Sequence, residues 1–125
     1  MTGFTAKFGY AQDEGEVLMV GFADDPYNAN HYLLFQRTRN PTAHDVTLGH
    51  DQIHTTIGNK GSAYGGVGPI ELFCDRLKVA LGSETARSLG TDREVVVNFS
   101  PDFDSLTEVA ESLKVLAGDT FFDRR

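Results

Sequence analysis

The segment VGFADDPYNANHYLLFQR, residues 20–37, decides the fold because it contains two apolar runs separated by acids and turn-forming residues. The first run, Val17–Phe22, is apolar on both faces of an extended chain, which predicts a central strand covered on two sides. The second run, His31–Arg37, has a similar pattern and predicts a neighbouring strand. Between them, Asp24–Asn30 is rich in turn formers and predicts an exposed connection. The segment therefore predicts a strand–turn–strand unit within a sheet.

Extended patterns on either side of this unit predict further strands. Phe4–Tyr10 alternates with its apolar side chains on one face, and Asp13–Gly15 predicts the hairpin turn that leads into Val17–Phe22. A capping box at Thr42–Asp45 predicts a short helical turn that ends near Gly49. The remaining strands are predicted at residues 51–57, 70–74, 76–81 and 94–99, with a glycine-rich loop at 58–68.

Two helices are predicted in the second half of the chain. Ser83–Gly90 has an N-cap serine and a glycine stop, and Ser100–Asp102 has the serine, proline and acid that open a longer helix. From Phe103 to Ala117 apolar residues recur at helical spacing, so this helix must pack on the sheet. The sequence therefore predicts an α+β fold: a curved, mostly antiparallel sheet of six to seven strands, with a short helix and a C-terminal helix packed on one face.

Length and composition limit the class of protein. A chain of 125 residues suits a single domain, residues 1–125, and its formal net charge of −7 disfavours binding to a nucleic-acid backbone. The chain shows neither a signal-peptide pattern nor the apolar run of about 18 residues that predicts a membrane span. The lone cysteine, Cys74, cannot form an internal disulfide and is predicted to be a small core residue. We therefore expect a cytoplasmic protein with neither nucleic acid nor membrane as a partner.

Candidate catalytic and metal-binding groups do not form a recognisable set. His50 and His54 share a face of an extended segment but lie roughly 13 Å apart, too far to share a metal ion without a bend. Asp24 and Asp25 are adjacent, so on a strand they point to opposite faces, and before Pro26 they suit a solvated turn. A Gly-x-Ser-x-Gly nucleophile elbow is absent. The sequence predicts no catalytic residue, no metal ion and no cofactor.

The glycine-rich segment Gly58–Gly68 favours recognition over phosphate binding. It lacks the Gly-Lys-Ser/Thr of a phosphate loop and leads into a strand, whereas phosphate loops lead into a helix. Tyr64 is the residue in it most suited to anchor a partner, because tyrosine offers a large contact area at low entropic cost. An alternative, equally consistent with the sequence, is that Tyr64 covers the end of the sheet.

Several short motifs occur in a fixed order along most of the chain. They are Gly21–Asp25, His31–Leu33 with Gln36–Arg37, Leu48-Gly49-x-Asp51 with His54, and Tyr64–Gly66 followed by Glu71–Leu72. This ordered set resembles the immunity protein 10 family of bacterial polymorphic toxin systems. The resemblance implies a protein that binds and neutralises a cognate toxin by occluding it, and so protects the producing cell, without catalysis or a cofactor.

On this resemblance, polar and aromatic residues in loops and at strand ends are candidates for toxin contact. The candidates are Asp24, Asp25, Tyr27, His31, Arg37, His54 and Tyr64. If the toxin is a basic nuclease, acids including Asp13 and Glu14 could steer its association. The structural alternatives are turn formation by the aspartates and an ion pair at Arg37. An exposed edge strand is also compatible with a homodimer.

Two other classes of function remain open on the sequence alone. A small-ligand-binding or regulatory domain would place its pocket between the sheet and the C-terminal helix. A divergent, hydrolase-like enzyme would use His31 or His54 with Asp24 or Asp51 as an acid–base pair. An adjacent gene encoding a large secreted protein with a variable C-terminal domain would distinguish an immunity protein from both.

Overall fold

Two five-stranded sheets and three helices make up the fold, which confirms the α+β class. A computed structural model describes residues 2–12, 15–25, 27, 30–49, 51–58 and 60–125. The elements are β1 (Thr2–Ala6), β2 (Phe8–Gln12), β3 (Val17–Ala23), β4 (Tyr32–Thr38), α1 (Ala43–Leu48), β5 (His54–Ile57), β6 (Gly61–Tyr64), β7 (Val67–Leu72), β8 (Arg76–Leu81), α2 (Ser83–Leu89), β9 (Glu94–Phe99), α3 (Leu106–Ala117), a 3-10 turn (Gly118–Thr120) and β10 (Phe121–Asp123). The strands form two sheets rather than the single sheet of six to seven that the sequence predicts.

The two sheets differ in strand direction. Sheet A has the order β1-β9-β8-β7-β10, and its outermost pairs, β1 with β9 and β10 with β7, are parallel. Sheet B has the order β2-β3-β4-β5-β6 and is antiparallel throughout. The predicted strand–turn–strand unit is the antiparallel pair of β3 and β4, and β7 with β8 is also antiparallel. The prediction of a mostly antiparallel arrangement is therefore confirmed.

The chain passes from sheet A to sheet B at Lys7, between β1 and β2. Backbone hydrogen bonds hold the crossing from both sides. The Lys7 N–H donates to the Ala23 carbonyl at 2.9 Å, and the Ser100 N–H donates to the Ala6 carbonyl at 2.9 Å. Because Ala6 and Lys7 are hydrogen-bonded to different sheets, this one segment supplies an edge strand to each sheet.

The crossing also changes which side chains face the core. Phe4 and Ala6 pack against it, whereas Phe8 and Tyr10 are 43% and 51% exposed. The prediction of one continuous strand with these four side chains on a single face is wrong. The strand breaks at Lys7. The alternation of inward and outward side chains starts again in sheet B, where Phe8 points outward.

One hydrophobic cluster joins the inward side chains of both sheets to α2 and α3. Its largest fully buried members are Phe22, Phe35, Leu33, Ile70, Leu72, Leu77, Leu89, Leu113 and Leu116. Helix α3 contacts β2, β3 and β10, so the predicted packing of the C-terminal helix on the sheets is confirmed. A cavity of about 270 Å³ lies where the small-ligand alternative would place a pocket, with Leu18 of β3 and Val115 of α3 in its lining.

Helix α3 begins later than its sequence pattern predicts. Residues 101–102 form a turn, and the helix starts at Leu106 rather than near Ser100. The preceding Phe103 is instead stacked on Phe99, with ring centroids 4.3 Å apart. Gly9 makes room for this ring, since a Cβ there would lie 2.7 Å from Phe103 Cζ. Aromatic packing therefore delays the helix by about one turn.

The predicted loop at residues 58–68 is largely strand. It contains β6 and the start of β7, joined by a turn in which Gly65 and Gly66 have φ of 74° and 69°. Gly61 of β6 lies against α2, where a Cβ would be 2.5 Å from the Ser88 carbonyl oxygen. The glycines thus permit close packing and a left-handed turn rather than a long loop. Asn59 lies outside the described residues.

The predictions for the helix ends are mostly confirmed, whereas the prediction for Cys74 is not. Thr42 and Asp45 form both hydrogen bonds of a capping box, and α1 and α2 end at left-handed glycines, as predicted. The prediction of Ser83 as the N-cap of α2 is wrong, because Gly82 is the N-cap and Ser83 is the first residue of the helix. Cys74 is exposed, so its assignment to the core is wrong. It lies in the connection between β7 and β8, which the sequence pattern had placed inside a strand. The predicted turn at Asp13 and Glu14 lies outside the described residues.

The packing of α3 generates a stability prediction. Replacing Leu113, which is fully buried, with alanine should lower the free energy of unfolding by about 2–5 kcal/mol, because it leaves a cavity between the helix and the sheets. Val115→Ala on the exposed side of the same helix is the matched control and should change it by less than about 0.5 kcal/mol. Urea unfolding measures both, and equal losses would contradict the assigned orientation of α3.

Candidate functional site

Sheet B packs on the core with one face only. Along the register of its strands, the side chains on the other face belong to Phe8, Tyr10, Gln12, Val17, Met19, Gly21, Ala23, Tyr32, Leu34, Gln36, Thr38, His54, Thr56, Ser62 and Tyr64. We call this surface the outer face of sheet B. It carries no Asp, Glu, Lys or Arg side chain, and within the described residues no helix or strand covers it. The prediction that β3 is covered on two sides is therefore wrong.

The outward side of sheet A has the opposite character. It presents Glu71, Arg76, Lys78 and Glu94 along its strands. Arg124, just after β10, places its Nε 3.4 Å from Glu71 Oε2. Mixed charges of this kind are ordinary for a solvated sheet face. The uncharged outer face of sheet B is thus a property of one sheet and not of the whole surface.

A trough runs along β3 on the outer face of sheet B, next to the edge strand β2. Gly21 and Ala23 form its floor because they have the smallest side chains in their rows. Tyr10 on β2 and Leu34 on β4 flank Gly21: a Cβ there would lie 3.8 Å from Tyr10 Cβ and 3.3 Å from Leu34 Cδ1. With Phe8 alongside, these residues line a cavity of about 330 Å³. A glycine in mid-strand commonly marks a place where another group approaches the backbone.

The connection between β3 and β4 borders the trough. Asp25 lines the cavity, and its Oδ1 accepts a hydrogen bond from the Tyr27 N–H at 2.9 Å. Tyr27 is 97% exposed. Such a side chain can contact a partner without displacing any other part of the fold. Of the predicted site residues, Asp25 and Tyr27 therefore lie beside the trough, while Pro26, Asn28 and Ala29 lie outside the described residues.

Asp24 and His31 close the base of the same connection. Asp24 Oδ2 lies 3.1 Å from His31 Nδ1, and Oδ1 accepts the Asn30 N–H at 3.1 Å. The His31 ring also stacks on Phe4, with centroids 6.0 Å apart. Burial raises the pKa of Asp24, but hydrogen bonds from His31 and Asn30 outweigh it, so the pKa lies below its ordinary value. These contacts give both residues a structural role.

His54 and Tyr64 lie on the outer face of sheet B, on its far side from β2. They are cross-strand partners, with ring centroids 4.6 Å apart. His54 Nδ1 is 3.3 Å from Gln36 Oε1 of the neighbouring strand. Tyr64 is nearly half exposed. The two predicted residues thus share one face with the trough, although they lie far from it in sequence.

Arg37 lies on the face of sheet B that is opposite to the outer face, which carries His54 and Tyr64. Its Nη1 donates to the Leu116 carbonyl at 2.9 Å, and its Nε donates to the Asp51 carbonyl at 3.2 Å. Leu116 belongs to the last turn of α3, where carbonyls lack helical partners. Arg37 therefore joins β4 to the end of that helix, and the structure does not bring it together with the trough.

The groups proposed for catalysis or metal binding are mostly separate. The pair His31–Asp24 is in contact, as the enzyme alternative requires, but the carboxylate also accepts the loop N–H described above. Among the described residues there is no cluster of three or more His, Cys, Asp or Glu side chains that could hold a metal ion. His50 lies outside those residues. No helix in the described ranges has both the length and the apolar character needed to cross a membrane.

Sequence reasoning missed the centre of the candidate site. Phe8, Tyr10, Gly21 and Leu34 were attributed to the core or left without a role. A signal for them was present in Val17–Phe22, whose two apolar faces imply two covering layers. The structure supplies one layer, so the second face is available to a partner.

An α+β protein with an open, uncharged and aromatic-rich sheet face has the features of a protein-binding module. The family model described as immunity protein 10 matches residues 5–107, more than half of the chain. The chain belongs to the immunity protein 10 family, which confirms the resemblance seen in its motifs and identifies it as an immunity protein. A comparison with curated proteins finds no match.

The Asp24 contacts generate a pH prediction. Because the pKa of Asp24 is lowered in the folded state, its carboxylate stabilises the fold at higher pH. This contribution is present above the ordinary pKa of an aspartate and is lost as the pH falls through the lowered folded-state pKa. Asp24→Asn should therefore lower the free energy of unfolding near neutral pH and reduce its loss on acidification. Urea unfolding between pH 6 and about 2.5 measures this. Glu94→Gln controls for removal of one charge, and identical pH profiles for wild type and D24N would contradict the prediction.

Proposed function

We propose that residues 1–125 act as one domain that binds and occludes the cognate toxin of a bacterial polymorphic toxin system in the cytoplasm of the producing cell. The observation that carries this proposal is the open outer face of sheet B, in a chain that belongs to an immunity protein family. Occlusion requires a surface and not a reaction. We therefore propose that the protein is not an enzyme and uses no cofactor.

The composition of the outer face supports binding to a protein. Interface centres are depleted in charge and enriched in aromatic residues and methionine. This face has Phe8, Tyr10, Tyr32 and Tyr64 on three of its strands, and Met19 on β3. Hot-spot residues at interfaces are also commonly tyrosine. The same surface would be unfavourable if it remained exposed to water in the working state.

The charge of the chain supports a basic toxin. A net charge of −7 repels nucleic acid and attracts a positively charged protein such as a nuclease. Asp25 is the acid nearest the trough. Its carboxylate can accelerate encounter with a basic surface before close packing begins.

Growth rescue tests the proposed function. The toxin probe is the C-terminal domain of the large secreted protein encoded by a gene adjacent to this one. Co-expression of the wild-type chain should restore growth and yield a complex that co-purifies at equal stoichiometry. Rescue without a complex, or neither outcome, would overturn the proposal. An inactive toxin variant that still folds provides the binding partner for the quantitative measurements.

Charge reversal at Asp25 should slow association. Asp25→Lys is expected to lower the association rate constant by about threefold to tenfold at low salt, and by less as ionic strength rises. Glu94→Lys on the outward side of sheet A changes the net charge equally and is the matched control. Surface plasmon resonance at two salt concentrations measures both variants. Equal rate constants for D25K and E94K would show that Asp25 is not part of the encounter surface.

The homodimer expected from an exposed edge strand stays a prediction. Helices contact both edge strands of sheet B, α3 at β2 and α2 at β6, which limits pairing there. Sedimentation velocity of the wild-type chain tests the prediction directly. A dimer at micromolar concentration would support it, and a monomer would contradict it.

A further inference from the structure

We infer that the trough over Gly21 receives an apolar side chain of the toxin, and that basic residues surround that side chain on the toxin surface. This inference rests on the proposed function and assigns it a place on the molecule. Asp24, His31 and Arg37 do not line the trough, and each makes a contact within the fold.

The first step concerns β3, which is apolar on both faces. Leu18, Val20 and Phe22 are buried in the core, so the fold accounts for that face. Val17 and Met19 point the other way, and no described element packs on them. In a sheet with one solvated face, these outward positions are ordinarily polar. A second covering layer that is not part of this chain explains the pattern.

The second step concerns the shape of the surface. Glycine lowers strand propensity and removes packing area, so its position in the interior of a strand is a cost to stability. At Gly21 it produces a depression between Tyr10 and Leu34, within a cavity of about 330 Å³. The φ of Gly21 is not positive, so the backbone does not require glycine there. The missing side chain therefore creates space, and apolar walls favour an apolar occupant.

The third step uses charge to choose among occupants. Among the described residues, Asp25 is the acid in the lining of the cavity, and no lysine or arginine lines it. A basic rim on the occupant would complement this carboxylate and the net charge of −7. A second copy of the chain would bring the same negative charge and repel. These features favour a basic toxin surface over a homodimer.

The fourth step compares area. Four strand spacings give the outer face a width of roughly 19 Å, and seven residues of β3 give it a length of roughly 20 Å. The resulting area of roughly 400 Å² is about half of what each partner contributes to a standard interface. The adjoining loop, with Tyr27 almost fully exposed, is placed to contribute part of the remainder.

Filling the trough tests the inference. Gly21→Val should preserve or raise the melting temperature, because a β-branched residue favours the strand and the atom nearest to its Cβ would be the flexible end of Leu34, at 3.3 Å. The same variant should weaken binding to the inactive toxin by roughly tenfold or more, since a buried anchor can no longer enter. Gly21→Ala should give a smaller loss. Isothermal titration and differential scanning calorimetry measure binding and folding separately.

A matched pair of phenylalanines distinguishes the two sheets. Phe8→Ser removes a wall of the trough from edge strand β2, and Phe122→Ser removes a similarly exposed ring from edge strand β10 of sheet A. We expect F8S to weaken toxin binding and F122S to leave it within about twofold of wild type. If both variants bind equally well, the outer face of sheet B is not the toxin site.

The outcomes separate this inference from the proposed function. If wild type rescues growth and G21V binds as tightly as wild type, the inference fails and the proposed function stands. If wild type neither rescues growth nor binds, both fail. If G21V abolishes a wild-type dimer without affecting toxin binding, the face belongs to a homodimer and the inference is overturned. Binding of a small molecule to the wild-type chain that is lost in G21V would also overturn the inference.

Discussion

The structure depends on a constraint at Lys7, where one extended segment has to pair with strands of two different sheets. Residues on one side of this point are tied to β9, and residues on the other side are tied to β3. Two sheets held by a continuous chain can enclose a single core, to which α2 and α3 add their buried faces. The same crossing reverses the alternation, so Phe8 and Tyr10 face away from that core. Enclosure of the core and exposure of the candidate site thus have one structural origin.

The two sheets differ in the side chains that they present on their outward faces. Sheet A covers its outward side with charged groups, including an ion pair between Glu71 and Arg124. Sheet B leaves aromatic and aliphatic side chains around Gly21. Apolar surface removed from water stabilises by about 25 cal/mol per Å², so an exposed apolar face gains most when a partner covers it. The contrast within one molecule makes the face of sheet B a feature that folding alone does not explain.

The seven candidate residues divide by the contacts that they make. Asp24, His31 and Arg37 hold a loop or a helix end through hydrogen bonds to backbone groups or to each other. Asp25, Tyr27, His54 and Tyr64 lie on or beside the outer face of sheet B. Polar residues at strand ends look alike in a sequence, because loop closure and partner binding both use them. Their positions relative to the outer face of sheet B separate the two groups.

The sequence by itself determined the elements whose causes are local. Strand alternation, the capping box at Thr42, the glycine stops and the apolar stripe of α3 each depend on residues a few positions apart, and the ordered motifs identified the family. The division into two sheets, the displaced start of α3 and the exposure of Cys74 depend on contacts between distant segments, so local patterns did not predict them. The trough required the tertiary structure most of all. Its floor and walls come from three strands brought together by register, and a run that is apolar on both faces does not indicate which face the rest of the chain will cover.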